Sequence, residues 1–418
     1  MTHYTSGSVQ TWMENNYDEV ASSYYNEDMK KTVGYDVKDI QDFLDARIKD
    51  GTQPYYGDIK AMIISGSNPL GRSKNSQNRR ENMIRDLELW VDIDLRMASS
   101  GQYADYVLPA AAQYERIDMN VDYGGNGVGQ PHAPAVKPLG DSMSDYSIAL
   151  LLAKKISERA LARGFYSFED KEFKTTRNLA TLYKELTADG KFDSDEKVAD
   201  AIVGASEATK GMTYAQFLEK GAAFPTHPLG ISVSFQAQWE RKIPYGTLTG
   251  RQQIYQDQDW NLKWDEALVT YKPEPVPTRY PLRFFSGHAR HSVHTFWRSN
   301  RYLLRIQRGE PIIQMNPDDA AARGIKDGDK VRVLNNIGRY LVQAKLMPGL
   351  PPGMLFSEHG WDPSLFPDHN SFEAPFVAII KPAEMINGEG HVDKWVPGRN
   401  IWGPNLKFRP SSVEVEKV

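Results

Sequence analysis

The stretch from Asn316 to Leu346, NPDDAAARGIKDGDKVRVLNNIGRYLVQAKL, leaves the backbone few choices. Asn316 has the short polar side chain that accepts from the first free N–H groups of a helix. Pro317 follows at the one helical position where no N–H is needed, and Gly324 stands where a short helix must stop in a left-handed conformation. Asp327-Gly328 then turns the chain. From Lys330 the pattern alternates, Val331 and Val333 against Lys330 and Arg332, until Asn335, Asn336 and Gly338 supply residues that tolerate a reversal. The return strand sets Tyr340, Val342, Ala344 and Leu346 on one face. The spacing predicts a helix cap, a turn and a hairpin with one buried side.

Ahead of this hairpin lies GHARHSVHTFWRSN, with more hydrogen-bond donors than folding requires, which points to a polar, anionic ligand. His288, His291 and His294 recur every three residues and invite a metal reading, but a helical i,i+4 pair and an acidic supporting residue are not evident. Hydrogen bonding to a ligand by these imidazoles, with Arg290, Ser292 and Trp297, is the reading preferred; Trp297 also fits a core position.

The 418 residues allow two to four domains, and a net charge of −4 with a pI near 6.2 argues against a general nucleic-acid binder. The absence of cysteine excludes disulfides, thiolate zinc sites and cysteine-held iron–sulfur clusters within these residues. No apolar run approaches the ~20 residues that cross a bilayer, and the start shows no export-signal organisation.

Residues 1–56 read as an irregular lead-in. From Ile59 the signals sharpen. Ala61-Met62-Ile63-Ile64 is a short apolar run typical of a strand buried on both faces, and it ends in Ser65-Gly66-Ser67-Asn68-Pro69. A helical pattern over Asn78 to Asp86 is followed by strands at Leu89–Asp94 and Tyr106–Leu108. This order predicts a parallel βαβ layer spanning 57–162, with ligands beyond the carboxyl ends of the strands, near Ser65–Asn68 and Asp94. The basic run of Arg72, Lys74, Arg79 and Arg80 serves phosphate or a solvated helix face equally well. Gly124 to Gly129, GGNGVG, is a turn rather than a dinucleotide fingerprint, since Pro131 and Pro134 occupy the place of the helix. Ser144 caps a helix that sets Ile148, Leu151, Leu152 and Ile156 on one face, expected to pack on the sheet. Residues 163–279 are helical and then irregular, ending in the stiff linker of Pro273, Pro275 and Pro277. The last domain, 280–418, has the short strands of a small barrel, with a strand expected at Phe376 to Ile380 and a loop-rich tail from Glu384 to Asn405.

Taken together, IDLRMASSGQYADYVLPAAAQYERIDMN, SGSNPL, TGRQQIYQDQDW, GHARHSVHTFWRSN, RIQRGEP, GIKDGD and EHGW resemble the catalytic subunits of the dimethyl sulfoxide reductase superfamily of molybdenum enzymes. The branch most similar holds ethylbenzene dehydrogenase, dimethyl sulfide dehydrogenase, and selenate, chlorate and perchlorate reductases, with respiratory nitrate reductase nearby. The resemblance covers residue 57 to the end. It implies an α/β fold, in which a parallel βαβ nucleotide-binding domain and a C-terminal double-psi β-barrel hold bis-molybdopterin guanine dinucleotide.

Residue by residue, the resemblance puts Ser65, Gly66, Ser67, Asn68, Asp94 and Arg96 at a guanosine end, with backbone N–H groups for phosphate and a carboxylate for guanine. A plain strand-to-helix turn with a surface Asp is the alternative. Gly287, His288, Arg290, His291, Ser292, His294, Trp297 and Asn370 would approach the pterin and phosphates. Glu358, His359 and Trp361 either line the pocket or close the barrel. No catalytic acid or base is named. The resembling subunits are about twice this length, and their first half carries the iron–sulfur cluster, the aspartate that ligates molybdenum and much of the substrate pocket. The resemblance therefore implies the carboxy-terminal half of such a subunit, inactive alone. Its partners would be the amino-terminal half, an iron–sulfur electron-transfer subunit and a haem b subunit, in the periplasm, or in the cytoplasm if the membrane-bound nitrate reductases are the nearer kin. A non-catalytic structural relative and a metallohydrolase built on the histidines are the rival readings.

Overall fold

The computed structural model describes residues 60–376 apart from short internal stretches, the longest being 121–128, 224–234 and 271–278, together with Asp42 and residues 411–418. The lead-in except Asp42, most of the GGNGVG turn, the proline linker and the 384–405 tail lie outside the described residues. By its contacts the chain forms two units, one of Met1–Asp92, Met97–Val107 and Tyr255–Val418, the other of Ile93–Arg96 and Leu108–Ile254.

The chain opens with a three-stranded sheet in the order β1 (Ala61–Ser65), β2 (Leu89–Asp94) and β3 (Tyr106–Pro109). Glu88 and Leu89 N–H both donate to Lys60 O, so β1 and β2 start side by side. Asp105 N donates to Trp90 O and Ala110 N to Asp94 O, so β3 advances with β2. These are the bonds of parallel strands, as predicted. β1 departs from the prediction in its burial: Met62 and Ile64 pack with Leu70 and Trp90, but Ile63 is 40% exposed on the other face. Only β2, the central strand, is buried on both sides, from Trp90 to Ile93. Gly66 (φ +63°) turns the chain into α1 (Pro69–Arg72).

The second unit contains the antiparallel pairs β4–β5 (Asp118–Asn120, Gln130–His132) and β6–β7 (Ser167–Asp170, Thr175–Asn178). Its helices are α2 (Asp145–Arg163), α3 (Leu182–Leu186), α4 (Asp195–Ala205) and α5 (Tyr214–Lys220), with another short one at Gln236–Glu240. Ser144 caps α2 by accepting from Ser147 N, and Gly164 ends it at φ +67°. The buried face of α2 is Ile148, Leu150, Ala153, Ser157 and Ala160, while Leu151 and Ile156 are 50% and 40% exposed. The predicted face is thus rotated: α2 packs on α3 and the 3-10 turn before it. α5 carries a reciprocal capping box between Thr213 and Gln216 and packs Tyr214 and Phe217 against Ala199 and Val203 of α4.

Back in the first unit, six strands close a barrel in the order β10-β11-β9-β12-β8-β13. They are β8 (Leu282–Gly287), β9 (Ile312–Met315), β10 (Lys330–Leu334), β11 (Arg339–Leu346), β12 (Met354–Glu358) and β13 (Ser411–Lys417), with helices α6 (Arg301–Ile306) and α7 (Pro317–Ala321) between. The β10–β11 hairpin and the Asn316 cap of α7 stand as predicted. Two pairs are parallel, β8 with β12 and β9 with β11, and β13 closes the ring antiparallel to β10 and β8. Alternate residues fill the interior: Phe284, Ile313, Met315, Val331, Tyr340 and Val413 are all fully buried. The predicted strand at Phe376 to Ile380 falls mostly outside the described residues, and Phe376 itself lies in a bend. Among the described residues no helix is long and apolar enough to cross a membrane.

Candidate functional site

The loop after β1 is built around Asn68, which is only 8% exposed. Its Oδ1 accepts from Ser100 Oγ (2.7 Å), Ser99 Oγ (2.9 Å), Ser100 N (3.2 Å) and Gly71 N (3.2 Å). One side-chain oxygen therefore ties the 68–71 turn to the small-residue loop 98–101. Gly71 is required here, since a Cβ would stand 2.5 Å from Asn68 Nδ2. Asn68, expected at a guanosine end, uses its carbonyl to hold the turn, while its buried Nδ2 finds no hydrogen-bond partner among the described residues. Ser65 is half-buried and Gly66 and Ser67 are exposed, so their backbone is the part of the loop that faces outward. Asp94 and Arg96 belong to the second unit. Both are half-buried, and Asp94 Oδ1 accepts from Leu95 N at 2.6 Å.

The second group stands where the parallel strands β8 and β12 end. Gly287 is held close to β12: its carbonyl accepts from His359 N (2.8 Å), and a Cβ on it would meet the Phe356 ring at 2.8 Å. His288 is exposed and sets its ring edge-on to that of buried His359, with centroids 4.3 Å apart. Arg290 is exposed. His291, His294 and Trp297 lie outside the described residues. The hydroxyls of Ser286 and Ser292 are buried and find no hydrogen-bond partner among the described residues. By the alternation of β8, Ser286 shares the inward side with Leu282 and Phe284, and across from it Ser357 donates to Ile312 O. The barrel interior thus turns from apolar to polar at this end. Among the described residues no group of three or more His, Asp or Glu could hold a metal ion.

Behind this end lies Arg298, 1% exposed. Its guanidinium donates to His359 O (3.0 Å), reaches Glu358 Oε2 (3.4 Å) and lies 4.0 Å from the Trp361 ring centroid. Burial pulls its pKa below the usual arginine value, and the Glu358 carboxylate pulls the other way. A cation so placed stacks on an aromatic face and fixes the course of residues 358–361 beneath the His288 loop.

The third group is the turn 368–371. Asn370 N donates to Asp368 Oδ1 (3.2 Å), and Asp368 Oδ2 also accepts from Leu341 N of β11 (3.0 Å). Arg80 reaches this turn from the α/β side, donating through Nη1 to His369 O (3.3 Å) and through Nη2 to Asn370 Oδ1 (2.5 Å). Leu70, Arg80, Ser99 and Tyr103 on one side and Pro363, His369 and Ser371 on the other line a small cleft. The first unit therefore brings the neighbours of Asn68 and of Asn370 to one place.

Reading the residues alone did not select Arg298 or Ser286, and left Arg80, His359 and Trp361 undecided. Arg80 was one of four basic candidates, and only its partner on a distant turn distinguishes it. His359-Gly-Trp361 carried the one usable signal, an aromatic pair beside an acid at a strand end.

Two family models match the chain: "Molybdopterin oxidoreductase" over residues 10–155 and "Molydopterin dinucleotide binding domain" over residues 282–380. The dimethylsulfide dehydrogenase subunit alpha of Rhodovulum sulfidophilum is 37% identical over 94% of this chain and 44% of its own length. The chlorate reductase subunit alpha of Ideonella dechloratans is 34% identical over 99% of this chain and 46% of its own. The respiratory nitrate reductase subunit alpha of Haloferax mediterranei is 32% identical over 88% and 40%. The chain thus spans less than half the length of these relatives. Among solved structures, acetylene hydratase from Pelobacter acetylenicus shares the fold, with a TM-score of 0.59 at 18% identity over 96% of this chain and 50% of that one. The chain belongs to the molybdopterin oxidoreductase family and carries its dinucleotide-binding domain.

Proposed function

We propose that this chain is the cofactor-holding, carboxy-terminal part of a molybdenum oxidoreductase catalytic subunit. The complete enzyme moves an oxygen atom or hydroxyl to or from a small substrate, a hydrocarbon, a sulfide or an oxyanion such as nitrate, chlorate or selenate, in anaerobic respiration. The relatives named above act on substances of the last two kinds, which supports the reading. In this reading the six-stranded barrel is a double-psi barrel and 57–162 is the nucleotide-binding layer.

The observation that carries the reading is the polar end of the barrel. Buried hydroxyls without partners cost a fold on the order of 1–3 kcal/mol each, and among the described residues Ser286 and Ser292 carry two of them, in the segment that also holds the exposed His288 and Arg290. That donor set suits a ligand rich in ring nitrogens, carbonyl and phosphate oxygens, as bis-molybdopterin guanine dinucleotide is. When bound, the group supplies two-electron molybdenum redox chemistry. Ser286, His288, Arg290 and Ser292 would hydrogen-bond its pterin and phosphates, and Asn370 would offer both a donor and an acceptor. The outward backbone of Gly66 and Ser67 would receive phosphate oxygens at a guanosine end. Arg298 touches no ligand in this scheme; it and the Asn68 carbonyl hold the two loops in shape. Electrons would pass to or from the molybdenum through an iron–sulfur subunit and a haem b subunit, in the periplasm.

The test is co-expression with the cluster-bearing polypeptide of the same subunit, followed by metal and pterin analysis of the purified complex. Molybdenum and pterin in stoichiometric amount are expected, with pterin content falling in Ser292→Ala. A folded complex that holds neither overturns the proposal and favours a non-catalytic relative.

A further inference from the structure

The turn 368–371 is held in a conformation its residues do not favour. His369 has φ +55°, the left-handed region that costs a residue with a Cβ free energy and that persists only where the surroundings impose it. Local bonds hold it in part, His369 N on Phe366 O and Asn370 N on Asp368 Oδ1, and the rest comes from a distant part of the chain. Arg80 spans two successive residues of the turn with two guanidinium nitrogens, one on the His369 carbonyl and one on the Asn370 side-chain oxygen. With its oxygen taken by Arg80 and its Nδ2 no nearer than 3.5 Å to Asp368 Oδ2, Asn370 has only a weakly engaged amide donor left to offer. We propose that Arg80 is a positioning residue that holds the strained His369 turn and sets which way round the Asn370 amide is presented. The consequence for the cofactor rests on the reading that Asn370 faces it; the latch itself does not.

This assignment separates Arg80 from the other basic residues near it. A solvated arginine would leave the 368–371 turn to Asp368 and to the Phe366 carbonyl, which accepts from His369 N at 3.0 Å, and a phosphate ligand would have no reason to take a side-chain carbonyl and a peptide carbonyl as neighbours, since both are acceptors. Two acceptors on one guanidinium describe an internal latch. The cleft between Leu70, Ser99 and Tyr103 on one side and Pro363 and Ser371 on the other is the space the latch spans.

The experiment uses the full chain in three forms, Arg80→Gln, His369→Gly and the double variant, read by hydrogen–deuterium exchange and by pterin content of the co-expressed complex. Arg80→Gln should speed exchange of the peptide covering 366–372 by roughly tenfold or more, as loss of two charge-assisted hydrogen bonds requires, with the β10 and β11 peptides unchanged. His369→Gly, which takes φ +55° at little cost, should restore slow exchange in the double variant. A merely structural arginine would not be rescued by a glycine on another loop. Unchanged exchange in Arg80→Gln, an increase spread evenly over the barrel, or a double variant as fast as Arg80→Gln overturns the latch. Faster exchange in 366–372 with full pterin content keeps the latch and refutes instead the placing of Asn370 at the cofactor.

Discussion

Replacing Arg298 by Met poses a question of sign. The guanidinium is 1% exposed, and stripping water from a cation costs several kcal/mol, so an apolar side chain of similar length could stabilise the barrel, as happens with some buried ion pairs. Against this stand three contacts. The bond to His359 O at 3.0 Å is charge-assisted and contributes about 1.5–3 kcal/mol. The desolvated stack on Trp361 at 4.0 Å adds about 1–2 kcal/mol. Glu358, at 3.4 Å and with 34% of its side chain in solvent, adds less than about 1 kcal/mol. The carbonyl of His359 would be left buried without its donor, while Glu358 can turn to water. The contacts and the stranded carbonyl outweigh the relief of desolvation, and Arg298→Met should destabilise the barrel by about 2 kcal/mol. Arg298→Lys should cost as much, because an ammonium keeps the charge but neither stacks flat nor reaches two acceptors. The assay is hydrogen exchange across a urea series, reading the peptides of β10 and β11, so that the second unit does not blur the transition. A variant within about 0.5 kcal/mol of the parent, or more stable, would show that Arg298 is a burden and not a clamp.

Other expectations concern the barrel interior and its seam. Tyr340 is fully buried and its hydroxyl has no partner among the described residues, so Tyr340→Phe should stabilise by about 1 kcal/mol in the same urea series; a loss of that size would mean the hydroxyl has a partner after all. Burial, helped by Asp368, raises the Tyr340 phenol well above its ordinary pKa, so this contribution is complete below the unfolded value of 10.0 and is lost as pH rises through the folded one. Tyr340→Phe should therefore flatten the alkaline limb of stability. Gly338→Ala would drive a Cβ into the Ala374 carbonyl and should cost about 2–3 kcal/mol, detectable as a lower melting temperature; an unchanged one would refute the close approach. Lys417 and the Lys326 N–H hold Asp329 below its ordinary value of 3.8, so its contribution is present above that pH and fades as pH falls through the folded pKa. Asp329→Asn should lower the urea midpoint at neutral pH and leave it unaltered in strong acid.

What the sequence made legible was local. The cap at Asn316, the turn at Gly328 and the alternation on both arms of the β10–β11 hairpin involve residues within a few positions of one another, and each stands where its chemistry put it. β13 carries an alternation just as plain, with Ser411, Val413 and Val415 buried, yet it was not recognised as a strand. Its meaning depends on lying between β10 and β8, and no spacing within SSVEVEK announces that. The same holds for β8 and β9, whose parallel partners β12 and β11 are reached only through long connections. The rotated face of α2 is an instance on the helix side, where the apolar residues permit two faces and the neighbour decides between them.

The site divides along the same line. Its composition, a run of His, Arg and Ser before a barrel hairpin, was visible because donors in excess of folding need no partner to be noticed. The residues that shape it were not, because Arg298, Asn68 and Arg80 matter through what they touch: a tryptophan ring, two serines and a distant turn. An arginine is ordinarily a surface residue, and only burial between two strand ends turns it into a clamp. This asymmetry has a mechanical sense. Groups that meet a ligand must keep unspent hydrogen-bonding capacity, as Ser286 and Ser292 do among the described residues, whereas groups that aim them must spend theirs inside the protein, as the Asn68 carbonyl does with its four contacts. A substitution at Ser292 should accordingly lower cofactor content with the fold intact, and one at Asn68 should loosen the 68–71 and 98–101 loops first and cofactor content only in consequence. Asn68→Asp separates the two roles: a carboxylate can still accept from Gly71, Ser99 and Ser100 while losing the Nδ2 donor, so the loops should keep their slow hydrogen exchange, and loss of that protection would show that the amide nitrogen, not the oxygen, is what holds them.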